Sequence, residues 1–178
     1  MKKGLLVLLV FGLTLIMVTP CFAQEKYRIS ASVLGSFPIT TLDANYEWSV
    51  GFGIFIDRQV GEHSLVGFSY AATKVLGKGE WTDLDLQNYA FRTKFNLNPL
   101  TEPWNLYLTT GSGVSLIDPG NSPSETGLGL YFGTGYTRTI NKTVGLDIGL
   151  DIVTLGVFQN KPVNTLVPHV SAYFPFSL

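Results

Sequence analysis

The segment Val144–Val153 reads Val-Gly-Leu-Asp-Ile-Gly-Leu-Asp-Ile-Val and decides the fold class. Aliphatic residues occupy every second position, and glycine or aspartate fills most of the positions between them. This alternation is typical of a β-strand with one apolar and one polar face, whereas a helix needs apolar residues three and four positions apart. The segment therefore predicts a strand, and the next question is which of its faces points inward.

The chain is hydrophobic but alternating, and it is poor in charge. Charged residues make up 14% of its 178 residues, against about 25% in an ordinary soluble domain. After the N-terminal region, no segment approaches the ~18 continuous apolar residues of a membrane helix. This combination is typical of a transmembrane β-barrel. The slightly acidic balance, with 12 basic and 13 acidic residues, gives no reason to expect a nucleic acid as partner.

Residues 1–23 have the pattern of a secretory signal peptide. Lys2 and Lys3 precede the apolar run Gly4–Val18, and the small residue Ala23 stands where cleavage is expected. We predict that the mature, exported domain spans residues 24–178. Cleavage would remove Cys21, the single cysteine of the chain, so the mature domain is expected to fold without a disulfide.

Eight alternating segments follow the leader, which predicts an all-β, eight-stranded antiparallel up-and-down transmembrane barrel. They centre on Tyr27–Val33, Tyr46–Asp57, His63–Val75, Leu84–Leu97, Trp104–Leu116, Leu128–Tyr136, Val144–Val153 and Leu166–Leu178. We assign the connections Val60–Glu62, Asn98–Pro103 and Asn141–Lys142 to the periplasmic side. The connections Phe37–Asn45, Gly77–Thr82, Asp118–Glu125 and Gly156–Asn164 are then the outer loops.

The composition of the polar faces favours a barrel with these faces inside. They carry mostly Gly, Ser, Thr, Ala and Asn, which fit the narrow lumen of eight strands and would make a poor solvent surface. Aromatic residues near the ends of the apolar faces fit the two girdles of a membrane barrel: Tyr27, Trp48, Phe95, Trp104, Tyr136 and Phe176. The alternative is a soluble barrel whose aliphatic faces line an internal pocket.

Charged residues on the predicted lumen faces form the candidate site. They are Arg28, Glu47, Asp57, Arg92, Lys94, Asp147 and Asp151. Because an unpaired charge in a narrow lumen is costly, we expect these groups to pair across it and to plug it. A gated ion path along the same charges is the functional alternative. No cofactor is expected, because His63 and His169 are far apart and no cysteine remains in the mature chain to complete a zinc site.

Residues 24–178 resemble the small eight-stranded outer-membrane proteins of the OmpA membrane-domain, OmpX and OmpW type. The alternation runs from Val170 to Leu178 at the carboxyl terminus, and it resembles the C-terminal signal recognised by the outer-membrane assembly machinery. The resemblance implies a monomer in the outer membrane of a Gram-negative bacterium, in contact with membrane lipid and lipopolysaccharide. The architecture does not determine the activity, because it hosts different ones. We expect a structural or surface-interaction role without catalysis. The OmpW resemblance implies an alternative, a narrow channel for small apolar compounds.

A second alternative comes from His169 and Ser171, which stand two positions apart. A similar pair occurs in the lipid A deacylases of the outer membrane, where serine is the nucleophile and histidine its base. That family's pair faces lipid and is followed by an acidic residue. Here the alternation places both residues on the lumen side, and no acid follows Ser171. We therefore expect a hydrogen-bonded lumen histidine rather than a lipid hydrolase.

Overall fold

The computed structural model describes residues 26–39, 45–120, 123–156 and 162–177. The predicted signal peptide, residues 1–23, lies outside these ranges, as do parts of three predicted outer loops and Leu178. Within the described ranges, no helix is long and apolar enough to cross a membrane.

The regular elements are β-strands that follow one another along the chain. Their bounds are β1 Lys26–Pro38, β2 Tyr46–Glu47, β3 Ser49–Gln59, β4 Ser64–Gly77, β5 Leu84–Asn96, β6 Trp104–Asp118, β7 Glu125–Thr139, β8 Gly145–Leu155 and β9 Val163–Ser177. The eight long strands pair antiparallel with their sequence neighbours, and β1 also pairs with β9. This last pairing closes the barrel, so the predicted fold class is confirmed.

The strand bounds differ from the prediction at the loop end of the barrel. The predicted segment Tyr46–Asp57 is interrupted at Trp48, so that the two-residue β2 pairs with the end of β4 instead of continuing β3. Trp48 stacks on Phe37, with ring centroids 6.1 Å apart. The strands β6 and β7 run further than predicted, because their pairing continues to Ile117 and Glu125.

The aliphatic faces of the strands point outward. In β8, Ile148, Leu150 and Ile152 are exposed, whereas Asp147 is buried. The same parity holds in β3, where Phe52 is exposed and Asp57 is buried. This orientation is the reverse of the one that a soluble barrel with an aliphatic pocket requires, and that alternative is therefore wrong.

The turn end of the barrel, where β3–β4, β5–β6 and β7–β8 are joined, has short connections. In the turn between β7 and β8, Asn141 Oδ1 accepts hydrogen bonds from the amides of Thr143 and Val144, at 2.8 and 2.9 Å. Asparagine suits this position because its side chain replaces a backbone acceptor in a tight turn. Both termini of the barrel lie at this end, since Lys26 pairs with Ser177.

Candidate functional site

A cluster of charged side chains fills the part of the lumen nearer the turn end. Its first pair is Arg92 of β5 and Asp57 of β3. Arg92 Nε donates to Asp57 Oδ1 at 2.9 Å, and a second guanidinium nitrogen donates to Oδ2. The guanidinium also lies over the Phe55 ring, 4.0 Å from its centroid. This two-pronged arrangement is the strong form of a carboxylate–arginine contact.

The row of residues across the sheet explains how these two side chains meet. Gly67 of β4 lies between them, because it pairs with Asp57 on one side and with Arg92 on the other. A Cβ atom on Gly67 would come within 2.4 Å of Asp57 Oδ1. The missing side chain therefore leaves the space through which Arg92 reaches the carboxylate two strands away.

The second pair is Lys94 of β5 and Asp147 of β8, which meet across the lumen. Lys94 Nζ lies 3.6 Å from the centroid of the Tyr107 ring. The Tyr107 hydroxyl donates to Asp147 Oδ1 at 2.6 Å. Asp147 is thus held from two sides, by a cation and by a phenol, and all three residues are buried.

His169 of β9 joins this group from the opposite wall. Its Nε2 lies 3.2 Å from the Tyr107 hydroxyl and 3.4 Å from Asp147 Oδ1. Its Nδ1 lies 3.3 Å from Asp151 Oδ2, an ion-pair distance without hydrogen-bond geometry. Both ring nitrogens face carboxylates, an arrangement that suits the doubly protonated ring.

Two glycines allow Tyr107 and His169 to meet. The row across the sheet runs from Tyr107 through Gly135 and Gly149 to His169. A Cβ atom on Gly149 would lie 2.4 Å from the Tyr107 hydroxyl and 2.5 Å from His169 Cε1. The rings of the two outer residues therefore lie over the backbone of the two inner ones.

The structure brings together most of the predicted charged residues, but not Arg28 and Glu47. Arg28 lies nearer the turn end, with its guanidinium carbon 4.9 Å from the centroid of the Tyr173 ring. Glu47 is exposed on β2 at the loop end. We call the group formed by Asp57, Arg92, Lys94, Tyr107, Asp147, Asp151 and His169 the lumen network. Tyr107 and His169 were missing from the predicted site, although strand alternation placed both on the lumen side.

The loop end of the lumen is filled by apolar side chains, which sequence reasoning missed. This apolar plug consists of the buried residues Tyr46, Val75, Leu84, Leu86, Ile117, Leu155 and Val163. Leu84 and Leu86 share their parity with the inward-facing Asn88 of β5, so the alternation carried the signal. An apolar residue on a lumen face is easily taken for a break in the pattern. The plug and the lumen network together fill the interior at two levels.

Comparison with solved structures identifies the architecture. The OprG outer membrane protein of Pseudomonas aeruginosa matches with a TM-score of 0.63 and 11% identity, over 86% of this chain and 97% of that chain. Neisserial surface protein A matches with a TM-score of 0.60 and 18% identity, over 88% and 98%. Ail, the attachment invasion locus protein of Yersinia pestis, matches with 0.56 and 18%, over 86% and 100%. The chain has the fold of the small outer-membrane β-barrels.

This outer-membrane barrel fold is recognised by structure and not by sequence. No family model matches the sequence, and no curated protein matches it either. A backbone architecture defined by alternation and closure tolerates very different side chains, because each strand position only has to suit lipid or lumen. The activity has to be argued from this chain's own side chains.

His169 and Ser171, the residues of the hydrolase alternative, each contact other polar side chains. The Ser171 hydroxyl pairs with the Ser32 hydroxyl of β1, and the two nitrogens of His169 face Asp147 and Asp151. Ser171 is 3% exposed and points into the lumen, where a lipid chain in the membrane has no access to it. Among the described residues, no group of three or more His, Cys, Asp or Glu side chains forms a metal site.

Proposed function

We propose that this protein is an integral outer-membrane barrel of a Gram-negative bacterium with a structural or surface-interaction role. The observation that carries the proposal is the combination of an outward aliphatic band with a filled lumen. Large apolar side chains such as Phe132, Ile54 and Val33 are 58%, 44% and 62% exposed. Exposing such a surface to water costs a free energy of about 25 cal/mol per Å², whereas contact with lipid does not.

The filled lumen supports a role without transport. A channel for small apolar compounds needs a continuous path, and the apolar plug and the lumen network occupy the interior at successive levels. In planar bilayers, we expect the purified protein to give no steady conductance, with or without a small apolar compound. A ligand-dependent conductance would favour the narrow channel instead.

The proposed role at the surface is consistent with the names of two similar structures. One is called a surface protein and the other an attachment invasion locus protein. In this chain, the outer loops with their strand ends would be the part presented to the outside. The barrel would be a monomer surrounded by membrane lipid and lipopolysaccharide. The outer-membrane assembly machinery would recognise its C-terminal strand β9.

Heat-modifiable gel mobility of protein from purified outer membranes tests the proposal. A folded membrane barrel resists SDS until it is boiled, so we expect two bands that interconvert on heating. N-terminal sequencing of the same material should begin at Gln24, as the predicted cleavage after Ala23 requires. A protein recovered free from the periplasm without a mobility shift would refute the proposal.

Absence of catalysis has its own test. We expect purified protein to release no acyl chain from lipid A, and the Ser171→Ala variant to behave in the same way. Release by the wild type that Ser171→Ala abolishes would establish the hydrolase alternative.

A further inference from the structure

A basic vestibule opens at the turn end of the barrel, below the lumen network. It is a cavity of about 430 Å³, and its lining includes Lys26, Arg28, Gln59, Thr139, Lys142 and Tyr173. Cavities that bind small molecules in proteins typically measure about 300–1,000 Å³. The vestibule is therefore large enough for a small ligand or for the end of a longer one.

The charge of this vestibule has one sign. Lys26, Arg28 and Lys142 are cationic, and no carboxylate belongs to the lining residues that the structure describes. Arg28 pairs across the strands with Asp57, but both oxygens of that carboxylate are bonded to Arg92. The side chain of Arg28 instead lies over the Tyr173 ring. Arg28 is thus a lumen-side cation that lies outside the lumen network.

Hydrogen-bonding groups accompany the cations. The Tyr173 and Thr139 hydroxyls are 2.8 Å apart, and either can turn its proton toward a ligand. Tyr173 is itself fixed, because it is 3% exposed and lies over Gly145, where a Cβ atom would come within 2.0 Å of the ring. A rigid aromatic wall with a planar guanidinium upon it is a preorganised binding surface.

Access to the vestibule is from the turn end. On the other side lie the buried side chains of the lumen network and, beyond them, the apolar plug. A ligand therefore reaches Arg28 without crossing the barrel. The compartment from which it comes rests on the proposed function, in which the turn end faces the periplasm.

We propose that the vestibule binds a multivalent oxyanion, a phosphate or carboxylate group of a periplasmic small molecule or chain end. Arg28 is the central contact, because a guanidinium offers two parallel donors to one oxyanion. Lys26 and Lys142 supply flexible charge at the rim. The hydroxyl pair of Tyr173 and Thr139 completes the set of donors.

Isothermal titration calorimetry of the folded protein in a neutral detergent tests this site, with pyrophosphate and with tricarballylate as separate probes. We expect binding that weakens as salt is added. The variant Arg28→Gln should lower the affinity at least tenfold, since one charged hydrogen bond alone contributes about that much, and Lys142→Gln should lower it by a smaller factor. Lys74→Gln, a matched change at the loop end, should leave the affinity unchanged.

The two probes separate the possible sources of the oxyanion. Binding of pyrophosphate alone would assign a phosphate ligand, and binding of tricarballylate alone would assign a carboxylate. Failure of both probes at millimolar concentration would overturn the proposal, as would an equal loss of affinity in Lys74→Gln. Heat-modifiable mobility checks that each variant is folded, and Lys142 lies in an exposed turn where the substitution does not disturb packing.

The test is independent of the proposed location. Titration in detergent requires only the folded barrel, so a failure to bind leaves the outer-membrane proposal standing. Conversely, a protein that binds the probe but is found outside the outer membrane would refute the location and keep the site.

Discussion

At the scale of single residues, burial separates two lysine–aspartate pairs of the same chemistry. The side chains of Lys94 and Asp147 are 4% and 10% exposed, whereas those of Lys74 and Asp83 are 51% and 43% exposed. Removing one partner of a buried pair leaves an uncompensated charge and typically costs about 3–5 kcal/mol. An exposed pair contributes about 0–1 kcal/mol. We therefore expect Lys94→Met to lower the free energy of unfolding far more than Lys74→Met does.

Urea titration of the folded barrel in lipid vesicles measures this difference. The double variant Lys94→Met/Asp147→Asn is the informative control, because it removes both charges and should recover part of the loss. Equal unfolding free energies for Lys94→Met and Lys74→Met would show that Asp147 is neutralised in another way.

Asp83 carries a prediction about pH, and it lies outside the spanning strands. The Gly77 amide donates to its carboxylate at 3.0 Å, and Lys74 lies 3.2 Å away. These contacts lower the pKa of Asp83 below its ordinary value, the amide contributing most. The stabilisation of this loop is therefore complete above the ordinary pKa of aspartate and is lost as the pH falls through the lowered one.

Carboxylate NMR titration checks this ordering of causes. In Lys74→Gln, we expect the pKa of Asp83 to stay below the ordinary value, because the amide hydrogen bond remains. A return to the ordinary value would mean that the lysine, and not the backbone, holds the carboxylate ionised.

The identity of the lumen residues could be predicted from the sequence, but their partners could not. Strict alternation tells which side of a strand a residue occupies, so Arg92, Lys94 and Asp147 were expected inside. To predict which residues pair across the lumen, one must also know the height of each residue along the barrel axis. That height depends on the stagger of all the strands between Lys94 and Asp147, which no local pattern contains.

At the scale of elements, glycines in the strands set which side chains can meet. Gly149 of β8 lies between Gly135 and His169 in the row that begins at Tyr107. Glycine in a strand interior weakens the strand unless a neighbouring side chain covers it. Here the Tyr107 and His169 rings cover Gly149. Because this glycine of β8 has no side chain, residues of β6 and β9 have the space to come into contact.

Gly149→Ala is accordingly expected to destabilise the barrel by about 1–3 kcal/mol, the usual cost of adding a methyl group to a filled core. Its Cβ atom would lie 2.4 Å from the Tyr107 hydroxyl, and the Tyr107 ring is buried. Gly61→Ala is the matched control, because its Cβ atom would meet Ser64 Cβ at 4.0 Å. Unfolding in urea compares the two variants. Equal stabilities would mean that the Tyr107–His169 contact adapts without strain.

Element bounds were harder to predict at the loop end than at the turn end. The turn around Asn141 carries its own chemistry, an asparagine whose side chain caps the following amides. The interruption at Trp48 has no such local signal, since the alternation continues through it. It depends on the pairing of β2 with the end of β4, a contact between segments about thirty residues apart.

At the scale of the whole molecule, the closed barrel could be predicted because one property recurs in every strand. Each long strand has one face for lipid and one for the lumen, and an even number of such strands permits closure. The apolar plug could not be predicted from this recurring property. That property assigns polar residues to the lumen, whereas Val75 and Leu155 of the plug are apolar and lie inside, on the side that their strand parity indicates.

The outward band gives the sharpest test of the molecule as a membrane protein. Phe132, near the middle of β7, is 58% exposed. In a soluble protein, Phe132→Arg would place a charge in water at little cost, whereas near the membrane midplane an arginine costs about 2–4 kcal/mol. We expect the free energy of unfolding in vesicles to fall by that amount in Phe132→Arg and to remain unchanged in Glu102→Arg, a control in an exposed turn. A Phe132→Arg variant as stable as the wild type would place this face of the barrel in water and reverse the proposed location.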